Sequence, residues 1–387
     1  MTNIKKYKVL IIPCATQMAV EQYHSLKYNK MIELIGAAHD DEHDLFSPYI
    51  KLDNPVESPN LVQEVKEIVK EKDIDIIITS HDEMLYVLKN DSELEKLIPG
   101  SSKDTVNVCR FKSKSYEKLK THPKLVGMVP RYQLLNSGFL KPDKGQGSRG
   151  SLQTTEDYLY CEYLPGKEYT VDCFTDNTGE VILVTPRLRK TIINGISEAT
   201  CAVTLPNIKT IAHHINDVFN FKGPWFFQVK EDELGKLKFL EIAPRIAGAS
   251  NINRLNGVNL TVSDIYQYLG HNTEFYYQNL VTDVRRKEPK YDINYDTIFV
   301  DYDDTFEYIE DILLKLNKEI IIITRSKSLI GRSYQTIYVK DHELKSTIIN
   351  DINKSNPLFI DDSFRERKDV LLNCNIPCLS PEETNYL

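Results

Sequence analysis

Short, nearly continuous apolar runs alternate with helical patterns over the first hundred residues. Residues 8–12, 32–36 and 74–79 have strand length, and helical patterns lie near 20–30 and 61–70. Apolar strands joined by helices suit a parallel sheet covered on both faces. From about residue 111 the strands become longer and richer in Tyr, Thr and β-branched residues: 158–164, 168–175, 180–185, 225–230 and 236–242, with a helix at 208–219. This pattern predicts a mostly antiparallel sheet. Residues 283–296 are charged and poor in apolar side chains, and read as a linker. Beyond it come three further apolar strands at 298–300, 319–324 and 357–362, with a helical pattern from about Glu307. The expected organisation is an α/β domain over 1–110, an α+β domain over 111–282, the linker, and a second α/β domain over 297–387.

The bulk numbers narrow the classes. A chain of 387 residues exceeds one compact core and favours two or three domains. A net charge of −8 argues against a sequence-independent nucleic-acid binder. The longest apolar runs, such as 74–79 and 320–324, fall far short of a membrane span, so no membrane partner is expected. The polar N-terminus leads straight into the strand at 9–12, without a signal-peptide pattern. Seven cysteines without CxxC spacing read as reduced thiols and point to a cytoplasmic protein. Cys374 and Cys378 have no His or Cys company that would make a thiolate metal site.

The middle segment carries nucleotide-type chemistry. Gly145, Gly147 and Gly150, with Ser148 between, spell GxGxxG, and Glu168 lies near the distance at which a dinucleotide fold places its acidic residue. That fingerprint requires its third glycine to open a helix. Residues 151–160 instead lack an apolar helical stripe and lead into a strand. A Gly-rich hairpin whose N–H groups close over phosphates fits better, with Lys141 on the preceding strand as a point charge; an ordinary surface turn is the bland alternative.

Downstream stand Cys161-Glu162-Tyr163-Leu164-Pro165-Gly166-Lys167-Glu168, then Phe227-Gln228-Val229, then Leu240-Glu241-Ile242-Ala243-Pro244-Arg245. In this order the motifs of residues 1–280 resemble the ATP-grasp superfamily, in its carbamoyl-phosphate-synthase-like, carboxylate–amine ligase branch. The resemblance implies a parallel pre-ATP-grasp domain followed by an ATP-grasp domain with an antiparallel sheet. It implies that Lys141 and the Gly145–Gly150 loop hold the ATP phosphates, that Glu162, Tyr163 and Leu164 form the adenine hinge, and that Glu168 binds the ribose. Lys114 falls where the earlier nucleotide lysine occurs, although Ser113 replaces the usual Asp before it. Gln228 and Glu241 would hold Mg²⁺ on the phosphates, and Arg189 and Arg245 would neutralise the transferring phosphoryl group. The chain departs from the pattern at Ala243, where an Asn ligand is usual and for which Asn251, Asn253 or water would have to substitute. The stretches 130–141 and 150–162 are also shorter than usual, which trims the lid.

At the end of the strand 298–300, Asp301 and Asp303 lie two residues apart and Thr305 follows; later strands end in Thr324 and in Asp361-Asp362. Strand tips that deliver hydroxyl and carboxylate groups describe an α/β active site. An EF-hand is excluded by the missing Gly and terminal Glu. The order resembles the haloacid-dehalogenase (HAD) phosphohydrolases, a Rossmannoid fold. It implies Asp301 as nucleophile, Asp303 as acid–base, Thr324 as phosphoryl donor partner, and Lys345 as counter-charge, with Lys340 the nearby alternative. Asp301, Asp303, Asp361 and Asp362 would form the Mg²⁺ site. Only 20 residues separate Asp303 from Thr324 and 36 separate Thr324 from Asp361, too few for a cap domain.

Taken together, the two resemblances imply a bifunctional enzyme that uses ATP and Mg²⁺. Its partners would be a small carboxylate, an amine and a phosphorylated substrate, with a homodimer as the family's usual assembly. The alternative, prompted by Ala243, is a non-catalytic nucleotide-binding domain that regulates the phosphatase.

Overall fold

The computed structural model describes residues 6–39, 45–132, 139–142, 158–193, 196–285, 293–326 and 334–387. Two compact units emerge: residues 1–252, 259–275 and 283–287 form one, and 253–258, 276–282 and 288–387 form the other.

The first unit opens with parallel strands β1 (Tyr7–Ile12), β2 (Ile32–Ala38), β3 (Tyr49–Lys51) and β4 (Ile76–Thr79), in the order β3-β2-β1-β4. Side-chain alternation puts Leu10, Ile12 and Ile77 into one buried cluster and Val9, Ile11, Ile76 and Ile78 into another, so both faces are covered. Helices α1 (Gln17–Leu26), α2 (Leu61–Lys72), α3 (Asp82–Lys89), α4 (Lys103–Cys109) and α5 (Lys112–Lys120) follow the strands.

Next come the antiparallel pair β5 (Phe139–Pro142) and β6 (Tyr158–Cys161), then a six-stranded antiparallel sheet. Its strands are β7 (Glu168–Thr175), β8 (Val181–Ile193), β9 (Ile196–Ala202), β10 (Gly223–Glu231), β11 (Leu237–Ala243) and β12 (Asp283–Arg285). They run in the order β11-β10-β7-β8-β9-β12. One face packs Tyr169, Val171, Cys173, Trp225, Phe227 and Phe239 against Ile208, Ala212, Ile215 and Phe219 of α6 (Ile208–Phe219) and against Tyr116 and Leu119 of α5. The short α7 (Asn251–Arg254) and then α8 (Leu260–Tyr268) come after β11.

Three expectations shift. The border expected at 110/111 runs inside the first unit, because α4 and α5 are tied to α6 and β11. Thr105 donates to the Phe219 carbonyl at 2.9 Å, and the Tyr116 hydroxyl to the Leu240 carbonyl at 2.8 Å. Residues 283–285, expected as linker, form β12 and pair with β9. Strand β8 extends well past 185, because Arg187 and Arg189 find carboxylates on the same sheet.

The second unit is a parallel sheet of β13 (Thr297–Val300), β14 (Glu319–Thr324), β15 (Gln335–Tyr338), β16 (Pro357–Ile360) and β17 (Cys378–Leu379), ordered β15-β14-β13-β16-β17. Helices α9 (Glu307–Lys315), α10 (Lys345–Ile352) and α11 (Phe364–Cys374) complete it. Phe299, Ile321, Ile323, Phe359 and Val370 make its core. Segment 276–282 belongs to this unit: Gln278 donates to the Cys378 carbonyl at 2.8 Å and accepts from its N–H at 3.1 Å, so a side-chain amide meets strand β17. Among the described residues no helix is long and apolar enough to cross a membrane.

Candidate active sites

With one face of the antiparallel sheet buried, strand alternation sends Glu168, Thr170 and Asp172, then Arg187 and Arg189, then Gln228 and Lys230 to the other. Register sets Gln228 directly opposite Glu241, and Phe226 opposite Ala243. Charges on this face are matched within it. Arg187 donates to Asp172 at 2.8 Å, both fully buried. Arg189 pairs with Glu168 and donates to Gln228 Oε1 at 3.3 Å, while Lys230 lies 3.5 Å from Glu168. Glu168, expected to bind ribose, therefore holds two cations, and Arg189 links it to Gln228.

At the C-terminal end of β11, Glu241 and Ala243 line a cleft with Asp82, Arg110, Lys112 and Cys109. Arg245 forms a two-pronged pair with Asp82, each contact 2.5 Å, and its guanidinium lies 5.1 Å from the Phe226 ring centre. Burial works against the Asp82 charge, but Arg245 outweighs it and holds that carboxyl below its ordinary pKa. Arg110 pairs with Glu83 in the same region. Thus Arg245, expected at the phosphoryl group, has its fork engaged by Asp82 and not by Glu241. Asp82 falls in the stretch 79–83 expected to shape the substrate pocket, whereas Arg110 and Lys112 were not anticipated.

Lys114, the expected nucleotide lysine, is exposed and stacks on Phe111 at 4.1 Å, whereas Lys112 faces the cleft. Helical spacing explains the difference. Ser115, Tyr116 and Leu119 form the buried face of α5, and Lys112 lies one turn before them on that face. Glu162 is paired with Arg131 at 2.8 Å; Tyr163 is exposed and Leu164 buried. Lys141 lies on β5, with its side chain outside the described residues; Gly145, Gly147, Ser148 and Gly150 lie outside them altogether.

In the second unit the strand tips converge. The ammonium of Lys345, at the first turn of α10, lies 2.6 Å from Asp301 Oδ1 and 2.6 Å from Asp361 Oδ2. All three residues are buried. Asp361 Oδ1 also accepts from Ser363 N–H at 2.7 Å, and its carbonyl accepts from Arg367 at 2.6 Å. Donor oxygens of Asp301, Asp361 and Asp362 lie within 4.8 Å of one another. Thr305 accepts from the Asp362 N–H at 3.0 Å, and buried Thr324 accepts from the Ser326 N–H at 2.9 Å. Burial pushes the Asp301 and Asp361 carboxyls upward, against the pull of Lys345. Three carboxylates gather around Lys345, with the Arg367 guanidinium also beside Asp361, and an all-oxygen donor set suits a hard divalent cation. Asp303, expected beside Asp301, is exposed and stands outside this group, because the backbone turns at Asp304 (φ 57°).

Comparison with known proteins bears on the first of these sites. Residues 154–289 match the family described as ATP-grasp in the biosynthetic pathway with Ter operon. No curated protein matches the chain in sequence. Among solved structures, Rhizobium etli pyruvate carboxylase bound to acetyl coenzyme A aligns with a TM-score of 0.57 at 16% identity, over 69% of this chain and 29% of that one. The biotin carboxylase domain dimer of Hydrogenobacter thermophilus 2-oxoglutarate carboxylase, bound to MgADP and bicarbonate, gives 0.55 at 16% over 71% and 72%. An L-amino acid ligase from Bacillus licheniformis gives 0.54 at 14% over 69% and 75%. At such identities the likeness is one of fold, and this chain spans under a third of the pyruvate carboxylase. The chain carries an ATP-grasp domain. The second unit stands on its own geometry.

Proposed function

We propose that the chain is an ATP-dependent carboxylate–amine ligase joined to a phosphohydrolase of the HAD type. The observation that carries the ligase reading is the Gln228–Glu241 cross-strand pair on the polar face of an ATP-grasp sheet. A carboxylate repels nucleophiles and has no usable leaving group. Attack of its oxygen on the γ-phosphorus of ATP, with ADP leaving, gives an acyl phosphate. An amine then attacks the carbonyl carbon and phosphate departs. Gln228 and Glu241 would hold Mg²⁺, Lys112 and Lys141 the phosphates, and Glu162–Leu164 the adenine. The structural relatives' MgADP and amino-acid chemistry support this choice of reactants, and a homodimer is the assembly we expect by analogy with the carboxylase domain dimer.

The hydrolase reading rests on Lys345 held between Asp301 and Asp361. Asp301 attacks phosphorus and the substrate oxygen leaves with a proton from Asp303. Water, deprotonated by Asp303, then attacks phosphorus and breaks its bond to Asp301. Thr324 steadies the phosphoryl oxygens and Lys345 balances the Asp301 charge. Asp301, Asp361 and Asp362 would hold Mg²⁺, which supplies charge neutralisation at the phosphoryl group. The second reading, a nucleotide-binding domain that regulates the hydrolase, is favoured by Ala243 facing the cleft where a third oxygen ligand would be needed.

The test is ADP release from ATP by Asp301→Asn, which silences the hydrolase, with pooled amino acids and other small carboxylates. Release only with particular acids supports the ligase. ATP binding without turnover in any pool overturns it in favour of the regulatory reading.

A further inference from the structure

A cluster away from both sites has the chemistry of a different ion. His214 and Asp217 are three residues apart on α6, hence on one helical face, with His214 Nδ1 3.7 Å from Asp217 Oδ2. His122, in the turn after α5, brings its ring to 4.6 Å from that of His214, with 33° between the planes. Donor atoms of the three residues lie within 4.8 Å of one another. Packing fixes their placement: Tyr116, Leu119 and Leu125 on the His122 side share a buried core with Ile208, Ala212 and Ile215 of α6.

We propose that His122, His214 and Asp217 bind a divalent transition-metal ion of the zinc class. Two borderline imidazoles joined by one carboxylate suit zinc, whereas the all-oxygen set at Asp301, Asp361 and Asp362 suits magnesium. A tetrahedral zinc with bonds near 2.0–2.1 Å holds its donors about 3.3 Å apart, so rotamer adjustment of about 1.5 Å at most closes the site. Both histidines are half-buried and Asp217 is exposed, which leaves a fourth position for water. One existing bond competes: the Lys124 N–H donates to His122 Nδ1 at 3.3 Å. Coordination through Nε2 moves the ring proton to Nδ1, and the N–H of exposed Lys124 turns to water. The ion would clip the end of α5 to α6, independently of either proposed reaction.

The experiment is a Zn²⁺ titration of the full chain in excess Mg²⁺, followed by thermal melting, with Co²⁺ as a spectroscopic substitute. We expect one Zn²⁺ per chain, a higher melting temperature, and the visible bands of tetrahedral Co²⁺. His122→Asn and His214→Asn should each weaken Zn²⁺ binding by about 100-fold or more and Asp217→Asn by about 10-fold, while their metal-free melting temperatures stay at the wild-type value. No Zn²⁺ uptake by the wild type overturns the proposal. So does undiminished binding in both histidine variants, or loss of binding in Asp361→Asn instead.

Discussion

On the antiparallel sheet of the first unit, each acidic residue of the polar face between Glu168 and Asp172 already has a cation beside it: Arg187 for Asp172, Arg189 and Lys230 for Glu168. At the strand tips of the second unit, three carboxylates gather around the Lys345 ammonium, with Arg367 beside Asp361. The first arrangement is near balance and orients side chains such as Gln228 for a charged ligand that enters. The second brings carboxylates together around a buried ammonium, an arrangement that is costly once its cation is removed. On the proposed ligase reading, the face must admit and release a highly charged nucleotide, and a balanced one would serve that. On the proposed hydrolase reading, a nucleophilic carboxylate must be kept ready, and a partly compensated cluster would serve that.

The largest effect is expected where compensation is thinnest. Lys345→Met keeps most of the side-chain volume but leaves Asp301 and Asp361 buried together, and should destabilise the second unit by about 3–5 kcal/mol. Urea unfolding followed by a probe in that unit reads this out; a loss under about 1 kcal/mol would mean that the carboxylates find other relief. Next, Glu241→Ala should lower ADP formation by about 100- to 1,000-fold while hydrolysis of a phosphomonoester stays at the wild-type rate. If both activities fall together, the two sites are not chemically separate and the comparison fails.

A third prediction concerns a buried acid whose burial outweighs the pull of Arg367 and Arg254. Burial, aided by Glu382, pushes the Glu383 carboxyl up to about 7 from 4.5. The folded chain then keeps a proton that the unfolded chain gives up, so this group favours folding at low pH. Its contribution falls away as pH rises from 4.5 through about 7. The decline should reach about 3 kcal/mol at most, and Glu383→Gln should flatten it. A wild-type melting profile that is level between pH 5 and 8 would contradict the assignment.

How much of this was legible in the sequence is a matter of geometry. Asp301, Thr324, Lys345 and Asp361 each sit at the end of an apolar strand or the start of a helix, so a linear reading of strand tips brings them together. Glu319–Thr324 and Ile208–Phe219 are found at the bounds their patterns indicated. The polar face of the antiparallel sheet was harder, because Arg187 and Arg189 look like a strand's end until their partners on β7 are known. Asp303 stands outside the carboxylate group because alternation along a strand stops where the backbone turns at Asp304. The pair of Arg245 with Asp82 joins residues 163 apart, a separation over which no local pattern speaks.

The smallest effect tests the finest point of the first site. Residues 112 and 114 are both lysines on one short helix, and the resemblance alone favours 114. Helical periodicity and the structure turn Lys112 toward the cleft of Glu241 and leave Lys114 over Phe111. Lys112→Ala should weaken ATP binding by about 10-fold, the worth of one ammonium at a partly exposed phosphate site, or about 1.4 kcal/mol. Lys114→Ala should leave ATP affinity within about twofold of wild type, as expected for an exposed residue away from the ligand. Calorimetric titration at fixed ionic strength separates the two, since screening acts alike on both surface charges. The reverse ranking would mean that α5 turns when nucleotide binds, and that the balanced face of the first unit is reorganised by its ligand.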